Sequence, residues 1–392
     1  MIRIARVLSV TLILLCVLAS TLHAASADMA DDLARRQMED MDITPFNDFV
    51  DDLQREIGEE FPPIDLPTVI DRIRRGEEVL SVGHITSLLL RYLGGEVVAH
   101  LGLLAQLLVL SLLSSLLSQA EGAWGHDTVS MVARWVIYLA LAAVAMVTFR
   151  EAFTVARDTV NSLSDMMLAL LPMLTTLLAA SGAFTTAAIF HPMVIFVCHA
   201  VVQVVVNWVF PLLFAAVMVE LAGYFTPERP LARLAALFRK GSLWVLEGAM
   251  VVFVGVITVQ GAAGAVTDGV TLRSIKFAAK SFIPVLGSTF SDAGEMVMAS
   301  SSLVKNAAGI LGLFLVAMIA ALPILRLAVM TIAYRTGAAL AAPLGGEEIS
   351  DLLDVLADGM TGLTVAVAAV ALMFYLTITI MLGAGNATVM LR

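Results

Sequence analysis

Three charged side chains lie inside long apolar stretches of the chain: Glu220, Glu247 and Arg326. A charge inside hydrocarbon is costly, so such residues usually mark ion pairs, proton relays or ion pathways. Glu220 and Glu247 each lie within about two helical turns of a basic loop, so interfacial salt bridges with Arg233 or Arg239 are the simpler explanation. Arg326 lies late in its stretch, where its long side chain can reach the membrane surface. These three residues are our candidate intramembrane charges.

A second candidate is the segment between Gly261 and Gly309, which is too polar for an ordinary membrane span yet holds the apolar run Phe282-Ile283-Pro284-Val285. A re-entrant loop or a pair of interfacial helices lining a pore has this mixed character. An extracytoplasmic loop packed on the membrane portion is the alternative. The possible pore or assembly residues in this region are Gln260, Gly261, Asp268, Lys276, Pro284, Gly287, Asp292, Lys305 and Asn306.

The sequence carries no enzyme signature. It has no phosphate-binding P-loop, nucleophile elbow, H-E-x-x-H zinc motif or dinucleotide fingerprint. His191 and His199 are eight residues apart, near one face of a helix, but no acidic ligand is close to them in sequence. Two cysteines, Cys16 and Cys198, are too few for a disulfide framework. We therefore predict no catalytic residues, no cofactor, no metal and no enzymatic activity.

The composition indicates that these residues are positioned by membrane helices. Of 392 residues, 59% are hydrophobic and only 14% are charged, and the mean hydropathy is +0.92. Soluble domains carry about 25% charged residues, so a large soluble enzyme is excluded. The formal net charge of −10 also disfavours nucleic-acid binding.

Apolar stretches long enough for a bilayer recur along the chain, since a spanning helix needs about 20 residues. The stretch 187–225 is long enough for two spans, with a turn expected near Asn207 and Trp208. Glycines at five positions suggest close helix approaches: Gly255, Gly261, Gly264, Gly309 and Gly312. We predict an all-α, polytopic membrane domain over residues 97–392. Its expected spans are residues 97–119, 129–148, 166–183, 187–206, 208–225, 243–265, 307–333 and 361–382.

The chain begins with features of an export signal. Arg3 and Arg6 precede a short apolar run, and Ala25-Ser26-Ala27 resembles a cleavage site. We predict a cleavable signal peptide over residues 1–27, with an uncleaved anchor as the alternative. Residues 28–96 hold 17 acidic and 7 basic side chains and suggest short helices joined by prolines. They are predicted to form a small helical extracytoplasmic region.

Loop charge gives an orientation for the membrane domain. With the N-terminus outside, the loop 226–242, which holds four basic residues, falls in the cytoplasm, as the positive-inside rule favours. The segment 266–306 then lies outside, although it also carries basic residues. An amphipathic acidic helix from about Glu347 to Asp358 faces the cytoplasm, either as a solvated helix or as a docking site for a basic partner.

A series of short motifs from about Pro172 onward resembles the stage III sporulation protein AE family in content and order. The match is densest between Gly255 and Gly312, and the resemblance covers nearly the whole chain. The motifs are Leu171-Pro172, Ser181-Gly182-Ala183, His191-Pro192, Thr258-Val259-Gln260-Gly261, Asp268-Gly269, Lys276-Phe277, Phe282-Ile283-Pro284-Val285-Leu286-Gly287, Ser291-Asp292-Ala293, Lys305-Asn306, Gly309, Pro323, Tyr334 and Pro343.

The resemblance implies a membrane subunit of a channel or secretion-like complex between mother cell and forespore, needed for endospore formation and similar to a permease or export gate. Implied partners are other stage III sporulation proteins, including ring-forming members and a cytoplasmic ATPase-like member, a forespore protein across the intermembrane space, and the lipid bilayer. The implied location is the mother-cell (outer forespore) membrane. The alternatives are a stand-alone secondary transporter using the intramembrane charges, or a scaffold subunit with no conduit of its own.

Overall fold

A computed structural model describes positions 69, 72 and 75 and residues 82–124, 128–224, 231–282, 287–344 and 347–390. Throughout these residues the secondary structure is helical, with no strand, which confirms the all-α prediction. The predicted signal peptide, nearly all of the acidic N-terminal region up to residue 81, and Pro284 lie outside the described residues.

The described helices follow one another with short connections. We number them α1 to α7 in chain order. A π-helical turn, Val205–Val209, joins α3 to α4, and a short 3₁₀ turn, Ala342–Leu344, follows α6. The bounds are α1 Val82–Trp124, α2 Thr128–Ala180, α3 Phe184–Val204, α4 Phe210–Gly223, α5 Ala232–Phe282, α6 Gly287–Ala341 and α7 Glu347–Met390.

Five helical stretches are long and apolar enough to cross a membrane. They contain 36 to 45 residues, roughly 54 to 68 Å at 1.5 Å per residue, and so exceed the hydrocarbon thickness of about 30 Å. The predicted first span, 97–119, lies within α1. The five stretches are Tyr138–Ala180, Phe184–Gly223, Ala232–Thr271, Val297–Ala341 and Ile349–Ala384.

Two pairs of predicted spans fall on continuous helices. Residues 129–148 and most of 166–183 lie on α2, because the polar stretch between them contains no proline or glycine that would end a helix. The turn expected near Asn207 and Trp208 is instead the π-helical turn. Pro211 has no N–H to donate to the carbonyl four residues earlier, and a π-helical turn absorbs this interruption without reversing the chain. The predicted loop 226–242 is helical from Ala232 onward, where α5 begins.

Helix α7 lies at the centre of the bundle and packs against α6, α5, α2 and α4. Large side chains such as Phe149, Phe210 and Phe374 are fully buried around it. Four phenylalanines of α2 and the α3–α4 run form a ring cluster with centroids 5.5 to 5.9 Å apart. Burial of this many aromatic side chains favours one fixed arrangement of the helices.

Glycines let the central helices approach closely. A Cβ atom on Gly309 would lie 2.3 Å from the Leu382 side chain, and one on Gly312 would lie 2.4 Å from Leu170. Gly261 and Gly264 are equally restricted, so the predicted close approaches are confirmed at these four positions. At Gly255 no such approach is seen within the described chain, because nothing lies within 4 Å of the position of its Cβ.

Candidate functional site

Asp268 caps a helix to which it does not belong. Its side chain is buried on α5, and its two carboxylate oxygens accept hydrogen bonds from the backbone N–H groups of Thr185 (2.7 Å) and Thr186 (3.0 Å) in the first turn of α3. The first N–H groups of a helix have no partner within it, and the N-terminal end of a helix favours a negative charge. Because the N-cap residue of α3, Ala183, has no acceptor in its side chain, Asp268 supplies the cap from α5.

Two glycines allow α5 to come close enough for this contact. A Cβ on Gly264 would lie 2.4 Å from Thr186 Oγ1 and 3.2 Å from Thr186 Cα. One on Gly261 would lie 2.6 Å from the Ile380 side chain of α7. Asp268, Gly264 and Gly261 therefore form one docking edge of α5, which seats it on α3 and α7.

The alanine variant of Gly264 tests this docking edge. Gly264→Ala places a methyl group against the α3 backbone, so we expect the free energy of unfolding to fall by about 1–3 kcal/mol. Gly255→Ala is the matched control on the same helix, where the methyl group meets open space. There the higher helix propensity of alanine should stabilise the protein by up to about 1 kcal/mol. Thermal unfolding in detergent measures both; equal shifts would contradict the proposed contact.

Lys305 of α6 is buried at the same end of the bundle. Its Nζ donates to the backbone carbonyl of Leu382 in α7 at 3.5 Å, and Gly309, one turn later, packs on the Leu382 side chain. Ile380 and Leu382 lie within one turn of α7, so the α5 docking edge and Lys305 contact the same part of that helix. Of the predicted pore or assembly region, Gly261 and Lys305 thus contact neighbouring positions of α7, whereas Asp268 contacts the start of α3.

The other predicted residues of this region are spread along the two helices. Gln260 and Asn306 are half-buried. Lys276 lies near the end of α5, and Gly287 and Asp292 lie in the first turns of α6. Where it is described, the region continues α5 and α6 as regular helix.

A network of ion pairs joins four helices at the opposite end of the bundle; we call it the ionic network. Arg239 of α5 bonds Glu220 of α4 at 2.5 Å and Asp358 of α7 at 2.8 Å. Arg335 of α6 bonds the same Asp358 at 2.6 Å and Asp354 at 2.8 Å. The predicted Glu220–Arg239 bridge is confirmed. Two acids of the predicted acidic helix, Asp354 and Asp358, are paired with arginines of this chain, which leaves less negative charge for a basic partner.

Arg326 belongs to a second cluster of charged residues, instead of extending unpaired towards the membrane surface. It bonds the carboxylate of Glu151 on α2, and its Nε lies 3.9 Å from Glu96 on α1. His100 lies 3.4 Å from the same Glu96. Burial, together with Glu96, raises the pKa of Tyr92 to about 12. The cluster ties α1 to α2 and α6.

Glu247 differs from the other two intramembrane charges. It is exposed on α5, and among the described residues it takes part in no ion pair or hydrogen bond. The expected bridge to Arg233 or Arg239 is therefore not seen, because Arg239 is engaged by Glu220 and Asp358.

The described residues contain no group of three or more His, Cys, Asp and Glu side chains that could hold a metal ion. Cys198 is buried and unpaired among apolar side chains. Sequence reasoning missed Glu151, Arg335 and Asp354 as ion-pair partners. Glu151 lies 175 residues from Arg326, so no local spacing relates the two. Asp354 lies 19 residues from Arg335 across the short connection between α6 and α7, a separation like that of Glu220 and Arg239.

Comparison with known proteins gives concordant matches. The family model described as stage III sporulation protein AE matches residues 64–385. The stage III sporulation protein AE of Bacillus subtilis (strain 168) is 34% identical over 366 residues, covering 93% of this chain and 92% of the relative. No solved structure matches the chain.

Proposed function

Because the chain belongs to the stage III sporulation protein AE family, we propose that it acts in endospore formation as a non-enzymatic membrane subunit of a channel or secretion-like complex. The complex connects mother cell and forespore, and the chain has a role similar to that of a permease or export gate. It resides in the mother-cell (outer forespore) membrane. The family assignment implies a sporulation role, and the five long apolar helices support multi-pass membrane insertion.

One observation favours a complex subunit over a secondary transporter. Glu220 and Arg326, two of the three charges suited to ion coupling, form ion pairs that join separate helices. A coupling residue must release and rebind its ion in each transport cycle, which requires access to a pathway. Residues fixed in interhelical ion pairs favour a bundle held in one arrangement.

The expected partners follow from the same proposal. Other stage III sporulation proteins, including ring-forming members and a cytoplasmic ATPase-like member, assemble with the chain. A forespore protein completes the complex across the intermembrane space. The basic segment 226–242, which belongs to α5 from Ala232 onward, and the ionic network then lie on the cytoplasmic side.

Co-purification tests the proposal. The full-length protein, carrying an affinity tag, is extracted in mild detergent from sporulating cells and from vegetative cells that express it artificially. We expect the ring-forming and ATPase-like stage III proteins to accompany it from sporulating cells only, as identified by mass spectrometry. Recovery of the chain alone from sporulating cells would overturn the proposal.

Neutralising Glu220 distinguishes a complex subunit from a secondary transporter. Glu220→Gln keeps a hydrogen bond to Arg239, so stability should fall by only about 1 kcal/mol. In a strain that lacks the native gene we expect heat-resistant spore counts within a few-fold of wild type. Immunoblotting of membranes controls for the amount of protein. Loss of spores at an unchanged protein level would instead indicate that the carboxylate couples transport.

A further inference from the structure

Helix α5 is the least covered of the five long apolar helices. In the most apolar 18-residue stretch of α5, 22% of the residues are buried within the protein, compared with 39–61% in the corresponding stretches of the other four helices. Its outer face carries large exposed side chains, including Trp244, Val251, Val252 and Val259. Lipid alone can cover such a face, so its exposure says nothing yet about a partner.

Glu247 makes this face unsuitable for lipid alone. It lies at the edge of the face, eight residues beyond Arg239 on the same helix, and therefore about 12 Å further along the helix axis. Lys240 lies on the same flank but about 10 Å away along the axis, beyond ion-pair distance. An exposed carboxylate at this depth costs free energy unless a cation or a hydrogen-bond donor reaches it. Within the described part of the chain nothing does.

The face also leaves room for a closely packed helix. Nothing lies within 4 Å of the Cβ positions of Gly241, Gly248 and Gly255, which are seven residues apart on this side of α5. The glycines at the centre of the bundle, such as Gly309 and Gly359, are by contrast filled by neighbouring side chains. A seven-residue repeat keeps one face towards a straight partner helix, and small residues there let the two backbones approach.

We propose that this face of α5 binds a transmembrane helix of a different protein, one that places a lysine or arginine at the level of Glu247. A second copy of this chain does not fit. Copies in one membrane share their orientation, so a symmetric pair through this face sets two Glu247 carboxylates side by side at one depth. Like charges opposed in this way disfavour association, whereas a basic side chain satisfies the carboxylate.

The inference rests on the proposed role as a complex subunit, and photo-crosslinking in sporulating cells tests it. A benzophenone amino acid is introduced at Val251, on the face, and at Val365, an exposed position of α7, as the control. We expect the Val251 probe to form an adduct with one other membrane protein. Peptide mapping should place the adduct in a transmembrane helix that contains a basic residue. The control position should not give this adduct.

Two substitutions then test the chemistry of the contact. Glu247→Lys should lower the adduct yield by about tenfold or more, and changing the partner's basic residue to glutamate should restore it. Gly248→Leu should lower the yield similarly while leaving the unfolding temperature of the purified protein unchanged, because its side chain meets open space.

Other outcomes overturn the inference. These are an adduct between two copies of this chain, an adduct with lipid only, or a yield that Glu247→Lys leaves unchanged. In each case, co-purification of the other stage III proteins would show that the proposed function still holds and that assembly uses another face. Their absence from the purified material would overturn the proposed function itself.

Discussion

Replacing Asp268 by alanine should destabilise the protein more than any other single change at the α5 docking edge. The substitution leaves the buried N–H group of Thr186 and the partly buried N–H group of Thr185 without an acceptor and removes the negative charge from the N-terminus of α3. Each unsatisfied buried donor costs about 1–3 kcal/mol, so we expect a loss of about 2–4 kcal/mol. Thermal unfolding of the purified protein in detergent, followed by circular dichroism, measures it.

Two variants distinguish the loss of the helix cap from a general destabilisation of α5. Asp268→Asn keeps one acceptor oxygen but no charge, and should recover about half of the lost stability. Thr267→Ala, at the neighbouring exposed position, removes only a local hydrogen bond to Ala263 and should change stability by less than about 0.5 kcal/mol. An Asp268→Ala protein as stable as Thr267→Ala would show that the cap contributes nothing.

The contact also brings together two short motifs that lie far apart in the sequence. Ser181-Gly182-Ala183 forms the turn between α2 and α3, where Gly182 has a φ of 95° that favours glycine. Asp268 lies more than 80 residues later and binds the first N–H groups after that turn. The order of the motifs is visible in the sequence, and their meeting is visible only in the structure.

Hydropathy predicted the helical membrane character correctly because burial in lipid depends on local composition. It placed a break at residues 149–165 wrongly, because polarity alone does not end a helix that lacks proline and glycine. A hydropathy pattern likewise does not predict the π-helical turn at Val205–Val209. A dip in hydropathy therefore located polar positions in both places without showing whether the chain reverses there.

The pairing of charges could be anticipated only where sequence neighbours limit the choice. Glu220 and Arg239 are 19 residues apart across one short loop, and a hairpin of helices brings them together. Arg326 and Glu151 are 175 residues apart, and their contact depends on how α6 packs against α2. Such contacts arise from the whole bundle, so local spacing does not contain them.

Replacing Arg239 by methionine should loosen the end of the bundle that carries the ionic network. The change removes the guanidinium that lies between Glu220 and Asp358, both partly buried; Asp358 keeps its ion pair with Arg335, whereas Glu220 keeps none among the described residues. Removing one member of such a network leaves uncompensated charge, and at this partial exposure we expect a loss of about 2–3 kcal/mol. Limited proteolysis between α4 and α5 should accelerate in parallel, because the two helices lose their cross-link.

A second substitution shows that charge, and not side-chain volume, causes this loss. In the Arg239→Met background, Glu220→Gln removes the repulsion between the two carboxylates and should restore more than half of the stability, as a double-mutant cycle measures. Arg233→Met, an exposed arginine on the same helix, is the matched control and should leave both stability and proteolysis unchanged. If Arg233→Met and Arg239→Met behaved alike, the network would contribute only general surface charge, and the helices at that end would be held by apolar packing alone.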